Sequence, residues 1–286
     1  MDFHDRTAFV TGGASGIGLG IARAMLNRGS RVMLADIDAD QLQSAAADLR
    51  ATGGDVGTTV CDVTDVESVR SAAATTVEQF KRVHIVVNNA GVSVGGVAGT
   101  IPLEDWAWVV NTNLMGVIHG VEVFTPLLRQ QGEGGYFINT ASMAGHWANP
   151  YAAPYNATKF AVVGYTETLR TELAAENIGA SVLCPGWVNT DIYKSHVNRP
   201  SSDGGESIDD VAANNPAIKA AMEQVKAGIS PNLVGDWVVE CVEQRRLYIF
   251  THPEMKAAID ARIQTLQQDY EACINDPRFT NKELPS

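Results

Sequence analysis

Thr7-Ala8-Phe9-Val10-Thr11 runs directly into Gly12-Gly13-Ala14-Ser15-Gly16-Ile17-Gly18, after which Ile17, Ile21 and Met25 recur at helical spacing. The order predicts a short buried strand, a glycine turn and a helix. Glycines in such a turn let the backbone approach a pyrophosphate, and the helix N-terminus offers free N–H groups and a partial positive charge. The spacing is Gly-x-x-x-Gly-x-Gly, which only approximates the Gly-x-Gly-x-x-Gly fingerprint, so the turn by itself could also be a tight connection. Gly12, Ser15, Gly16, Ile17 and Gly18 are the candidate contacts to a dinucleotide.

Outward from this turn, strand-like and helix-like stretches alternate. Residues 31–36 form a second apolar run that ends in Asp36, 18 residues after Gly18 and near the spacing at which a carboxylate takes the adenosine ribose hydroxyls. Asp38 and Asp40 are both available to cap the following helix, which leaves Asp36 for ribose. A carboxylate there repels a 2′-phosphate, and no Arg or Lys stands at position 37 or at Ala14 and Ser15, so NAD is expected over NADP. Further strands are expected at 57–61, ending at Asp62-Val63, and at 83–87, ending at Asn88-Asn89-Ala90-Gly91. Others follow at 136–138, at 180–184 before Pro185-Gly186-Trp187-Val188-Asn189-Thr190, and at 248–251.

Helical spacing appears between the strands, at Val66, Val69, Ala73 and Val77 and again from Asn111 to Leu128, with Asn113 near the start of the latter. Strand and helix at this cadence predict crossover connections, a parallel sheet and a ligand crevice at the carboxyl ends of the strands. The expected fold is a doubly wound, Rossmann-type α/β domain spanning 1–286. Within it, the turn-rich 191–215 is expected as a substrate lid, and 253–286 as a C-terminal helical extension with Met255, Ile259, Ile263, Leu266 and Tyr270 on one face.

Chemistry is concentrated between Asn139 and Lys159. If the chain is helical from about Pro154, Tyr155 and Lys159 stand one turn apart on one face. An ammonium beside a phenol stabilises the phenolate and lowers its pKa from about 10, which suits it to exchange a proton with a carbonyl or alcohol oxygen. Ser142 lies just past the apolar run 136–138, where its hydroxyl would face the crevice. A lone Tyr/Lys pair is more often packing than catalysis; its place among the other strand-end residues argues for function.

The composition narrows the alternatives. A formal charge of -12 and a pI near 4.9 argue against nucleic acid as partner. Cys61, Cys184, Cys241 and Cys273 lack paired or metal-ligand spacing, as do the six histidines, so reduced thiols, a cytoplasmic location and no metal are expected. The polar N-terminus does not read as a signal peptide, and no apolar run nears 18 residues, so no membrane span is expected.

Taken together, these motifs resemble the short-chain dehydrogenase/reductase family, in its single-domain branch, densely over residues 5 to 190. The likeness rests on the Thr11 to Gly18 turn, Asp62-Val63, Asn88 to Gly91, Asn113, Ser142, Tyr155 with Lys159, and Pro185-Gly186 through Thr190. It implies a seven-stranded doubly wound parallel sheet with helices on both faces, a nicotinamide cofactor across it, and a homo-oligomer, tetramer or dimer, built through the Asn113 and Tyr155 helices. It also implies roles. Tyr155 would be the acid/base; Lys159 would lower its pKa and hold the nicotinamide ribose; Ser142 would bind the substrate carbonyl; Asn113 would hold a relay water through its backbone. Val188 and Thr190, beside Pro185 and Gly186, would grip the carboxamide, Asp62 and Val63 the adenine, and Asn89, with Ala90 and Gly91, the adenosine side. The Tyr-x-x-x-Lys spacing is unlike that of the enoyl-reducing relatives.

The function expected is NAD-dependent interconversion of an apolar secondary alcohol and a ketone. Val92, Val94, Met143, Trp147, Trp187, Ile192 and Tyr193, none of them charged, would line the substrate pocket. A redox-silent dinucleotide-binding regulator is the alternative, and it would not need Asn113, Ser142, Tyr155 and Lys159 together. A sugar-nucleotide epimerase shares the Tyr/Lys pair but would call for a substrate domain that the short C-terminal region lacks.

Overall fold

The computed structural model describes residues 1–198 and 216–280. Seven strands form one sheet: β1 (Thr7–Thr11), β2 (Arg31–Asp36), β3 (Val56–Val60), β4 (Ile85–Asn88), β5 (Gly135–Thr140), β6 (Ile178–Cys184) and β7 (Tyr248–Phe250). Their order is β3-β2-β1-β4-β5-β6-β7 and every pairing is parallel. The order reverses between β1 and β4, and in an open α/β sheet the crevice at that switch point is where a ligand binds.

The helices that frame the sheet are α1 (Gly16–Leu26), α2 (Ala39–Ala51), α3 (Val66–Phe80), α4 (Leu103–Val110), α5 (Gly116–Gln131), α6 (Ala153–Glu172), α7 (Pro216–Lys226) and α8 (Pro231–Glu243). Period-two alternation sends side chains of one strand to opposite faces. Ala8 and Val10 join a core with Ile21, Leu42 and Val238 from α1, α2 and α8. Phe9 joins the other core, with Val69, Phe124 and Leu169 from α3, α5 and α6. Helices therefore cover both faces, as the sequence predicts for a doubly wound sheet.

Two compact units are distinguished, Met1–Thr251 and His252–Ser286. The sheet lies in the first. The second carries α9 (Lys256–Ile274) after a 3-10 turn at Pro253–Met255. Of the expected extension at 253–286, residues 281–286 lie outside the described residues. Of the expected lid at 191–215, only its beginning is described, a 3-10 segment at Ile192–Asn198; the remainder, 199–215, lies outside the described residues.

One helix boundary differs from expectation. The helix expected from Asn111 is preceded by α4, and the two are joined by a π-helical turn over Asn111–Met115. Apolar periodicity does not show such a turn, because one extra residue per turn shifts the stripe without ending it. Single π turns inside α-helices are frequent at functional sites, and Asn113 sits at the centre of this one.

Candidate active site

The glycine turn is built to leave backbone donors open. Gly12 and Gly16 adopt left-handed backbone with φ of 61° and 53°, and a Cβ at Gly18 would collide with the Gly12 carbonyl oxygen. The turn is braced from below by Asn89, whose Nδ2 donates to the carbonyls of Thr11 (3.1 Å) and Gly12 (3.3 Å). Thr11 Oγ1 in turn accepts from the backbone N–H groups of Asn89 and Ala90.

At the start of α1, Ser15 occupies the N-cap position with no side-chain hydrogen bond to the helix, and the first turn holds no acidic residue. The neighbouring helices are closed instead by carboxylates: Asp38 accepts from Asp40 and Gln41 at α2, and Asp65 accepts from Glu67 at α3. A helix N-terminus without cap or counter-charge is an anion site, so these residues fit a pyrophosphate.

Asp36 ends β2 beside this turn, its Oδ2 accepting from Ala14 N (3.1 Å) and its Oδ1 from Asp38 N (3.2 Å). The carboxylate is partly exposed and held in place by the same turn it would serve. Asp62 Oδ1 accepts from Thr64 N and Oγ1, and Val63 is buried with its carbonyl against His119 Nδ1. From the opposite side, Thr190 approaches: a Cβ built at Gly16 would lie 3.1 Å from Thr190 Cγ2. Val188 is buried and bridged to Ile229. Since all strands are parallel, the candidate cofactor residues that end or follow β1, β2, β3, β4 and β6 lie at the same, carboxyl end of the sheet.

Tyr155, Lys159, Ser142 and Asn113 meet at the carboxyl end of β5. Lys159 is buried, with Nζ donating to Thr140 O at 2.9 Å and lying 5.4 Å from the centre of the Tyr155 ring. Its burial lowers the ammonium pKa to about 8. Ser142 caps the 3-10 turn Met143–Gly145 by accepting from Ala144 N. Its single hydroxyl proton points to Pro185 O (3.3 Å), and the hydroxyl is near enough to the Tyr155 phenol to favour its ionised form.

The expected acidification of Tyr155 by Lys159 is not what the structure holds. Burial pushes the phenol pKa upward, and the group that pulls it back is the Ser142 hydroxyl. The physical reason is that desolvation disfavours the phenolate, while the Lys159 ammonium is turned toward Thr140 O. Asn113 also differs from a free polar group. Its side chain clasps the backbone of Val92, accepting from N (2.8 Å) and donating to O (2.9 Å), so only its backbone is left for the role expected of it. Gly91 lies between them; a Cβ there would be 3.4 Å from Asn113 Oδ1 and 3.7 Å from Lys159 Nζ.

Several positioning residues escaped the sequence reading. A buried chain runs from Asn88 Nδ2 to Asn139 Oδ1 (2.8 Å) and from Asn139 Nδ2 to Thr166 Oγ1 (3.0 Å), tying β4, β5 and α6 together. Its only signal in the sequence is polar residues inside apolar runs. Of the expected pocket residues, Val94 and Met143 are buried, Trp147 is exposed, and Val92, Trp187, Ile192 and Tyr193 are half-buried. The Lys194 and Lys226 ammonium groups lie 5.7 and 5.2 Å from the Tyr193 ring centre, so cationic side chains do stand against one of the uncharged pocket residues. Ser195 Oγ accepts from Ser93 N, which ties the start of the 191–215 segment to the loop after β4.

Residues 6–200 match the family model described as short chain dehydrogenase. A CLA biosynthesis dehydrogenase/reductase of Lactiplantibacillus plantarum is 33% identical over 272 residues, covering 94% of this chain and 95% of the relative. A C alpha-dehydrogenase of a Sphingobium strain is 29% identical over 284 residues, covering 99% of this chain and 92% of the other. Among solved structures, a short chain dehydrogenase/reductase from Burkholderia phymatum, in complex with NAD, superposes with a TM-score of 0.88 at 33% identity over the whole of both chains. Among the described residues, no helix is long and apolar enough to cross a membrane.

Proposed function

The chain belongs to the short-chain dehydrogenase family of oxidoreductases, and on that footing we propose that it interconverts an apolar secondary alcohol and a ketone using NAD. The observation that carries the proposal is the gathering of Tyr155, Ser142 and buried Lys159 at the carboxyl end of β5, with the Lys159 ammonium 5.4 Å from the centre of the Tyr155 ring, on the side of the sheet where α1 starts without a cap. Bound nicotinamide would supply the hydride acceptor or donor. The remaining work falls to the protein.

In the oxidative direction Tyr155 Oη takes the hydroxyl proton of the substrate, and in reduction it returns one to the carbonyl oxygen. Ser142 Oγ–H orients that oxygen and, when the phenolate forms, moves from Pro185 O to the stronger acceptor. Lys159, charged below a pKa of about 8 and steadied by the Thr140 carbonyl, would hold the nicotinamide ribose. The π turn positions Asn113 to hold a water on the proton path. Val188 and Thr190 hold the carboxamide, and Asp36 the adenosine ribose, where its charge disfavours a 2′-phosphate. Association into a dimer or tetramer through α5 and α6, and a cytoplasmic location, belong to the same reading.

The test is a panel of apolar secondary alcohols incubated with the purified protein and either NAD or NADP, following the reduced-nicotinamide absorbance band. Growth of the band with NAD supports the proposal; no turnover with either cofactor across the panel removes it. A purely regulatory dinucleotide binder has no use for Asn113, Ser142, Tyr155 and Lys159 together.

A further inference from the structure

Thr140, the last residue of β5, is bonded in two directions. Its backbone carbonyl accepts from Lys159 Nζ at 2.9 Å, and its hydroxyl Oγ1 donates to Asn89 Oδ1 at 3.3 Å. Asn89 is the residue that braces the glycine turn. Its Nδ2 donates to the carbonyls of Thr11 and Gly12, and it packs so closely that a Cβ built at Gly12 or Gly18 would lie 3.0 or 2.6 Å from it. A side-chain amide has a donor end and an acceptor end, and its neighbours decide which way it faces. Turned over, Asn89 would aim its oxygen at two carbonyl oxygens. The orientation that braces the turn leaves Oδ1 on the opposite side, where the Thr140 hydroxyl supplies the proton it accepts.

We propose that Thr140 is a positioning residue for the dinucleotide. Its hydroxyl fixes the Asn89 amide, the amide fixes the Thr11 and Gly12 carbonyls, and a turn held in this way keeps its backbone N–H groups set for the pyrophosphate. The inference rests on the reading of this turn as the pyrophosphate site. The main chain of Asn89 does not depend on Thr140, because its N–H donates to Thr11 Oγ1 at 2.9 Å. Loss of the Thr140 hydroxyl therefore frees a side chain and leaves the strand end in place. The carbonyl under Lys159 is present whatever side chain stands at position 140, so substitution separates the two contacts.

Two substitutions divide the side chain of Thr140 into its parts. Thr140→Val keeps the β-branched shape that suits a strand and removes the hydroxyl, whereas Thr140→Ser keeps the hydroxyl and removes the methyl. Calorimetric titration of the full chain with NAD, and with ADP, which carries the pyrophosphate without the nicotinamide, reads the effect. Thr140→Val is expected to weaken both ligands by about 5- to 10-fold, the scale of a part-buried acceptor left without its donor, and Thr140→Ser by less than about twofold. In an Asn89→Ala background Thr140→Val is expected to add nothing, because the amide through which it acts is gone. Parental affinity in Thr140→Val, an equal loss in Thr140→Ser, or additive losses in the double variant would each overturn the proposal. Failure of the parent itself to bind either NAD or ADP would instead remove the pyrophosphate reading on which the proposal stands.

Discussion

The two ends of the parallel sheet are finished in opposite ways. At the carboxyl end, α1 starts without a cap, the Ser142 hydroxyl stands near both Pro185 O and the Tyr155 phenol, and the buried Lys159 ammonium donates to the Thr140 carbonyl. At the amino end one carboxylate gathers several basic groups. Glu133 takes Arg82, Arg6 (3.3 Å) and His84 Nε2 (3.1 Å), and His84 Nδ1 accepts from Thr7 N (3.0 Å). Since Nδ1 is an acceptor, His84 is the neutral tautomer with its proton on Nε2, given to Glu133. A polar group left open in a fold costs stability, so the contrast separates the end kept for binding from the end that holds strands together.

Breaking the open end should have the largest effect. Tyr155→Phe is expected to lower kcat/KM by about 1,000-fold, the scale of a lost general acid/base, while thermal stability and dinucleotide binding stay near those of the parent. A variant that still turns over at the parental rate would remove Tyr155 from the chemistry.

The closed end should answer to pH instead. Burial, with Arg6, Arg31 and Arg82 nearby, lowers the His84 pKa from 6.5 to about 4. The unfolded chain therefore binds this proton before the folded one does. The stabilisation from neutral His84 is complete above about pH 6.5 and is lost as pH falls toward about 4, an effect of about 3 kcal/mol. Denaturant unfolding at several pH values should show this slope in the parent and a shallower one in His84→Gln, with turnover per folded molecule at neutral pH the same in both.

Two smaller changes probe the contrast within the open end itself. Asp36→Asn should narrow the preference for NAD over NADP by about tenfold, roughly 1.4 kcal/mol, as the repulsion of a 2′-phosphate is removed. An unchanged cofactor ratio would take Asp36 out of that role. Ser15→Asp would make the start of α1 resemble that of α2. The new cap should stabilise the fold by about 0.5–1 kcal/mol and at the same time weaken dinucleotide binding several-fold. Tighter binding in that variant would mean the phosphates lie elsewhere.

The sequence by itself determined the fold class and nominated residues for the crevice. Short continuous apolar runs between stretches of helical spacing specify alternating strands and helices, and right-handed crossovers then bring every strand end to one side. That is why Gly12, Asp36, Asn89, Ser142 and Thr190, far apart along the chain, could be nominated together. Only the tertiary structure decided how the polar groups are shared. The π turn at Asn113, the clasp on Val92, the Thr140 carbonyl under Lys159 and the rise rather than fall of the Tyr155 pKa depend on distances of a few ångströms and on the loss of water. Hydrogen bonding and desolvation are set by what packs around a group in three dimensions, and a residue's neighbours in the chain do not carry that information.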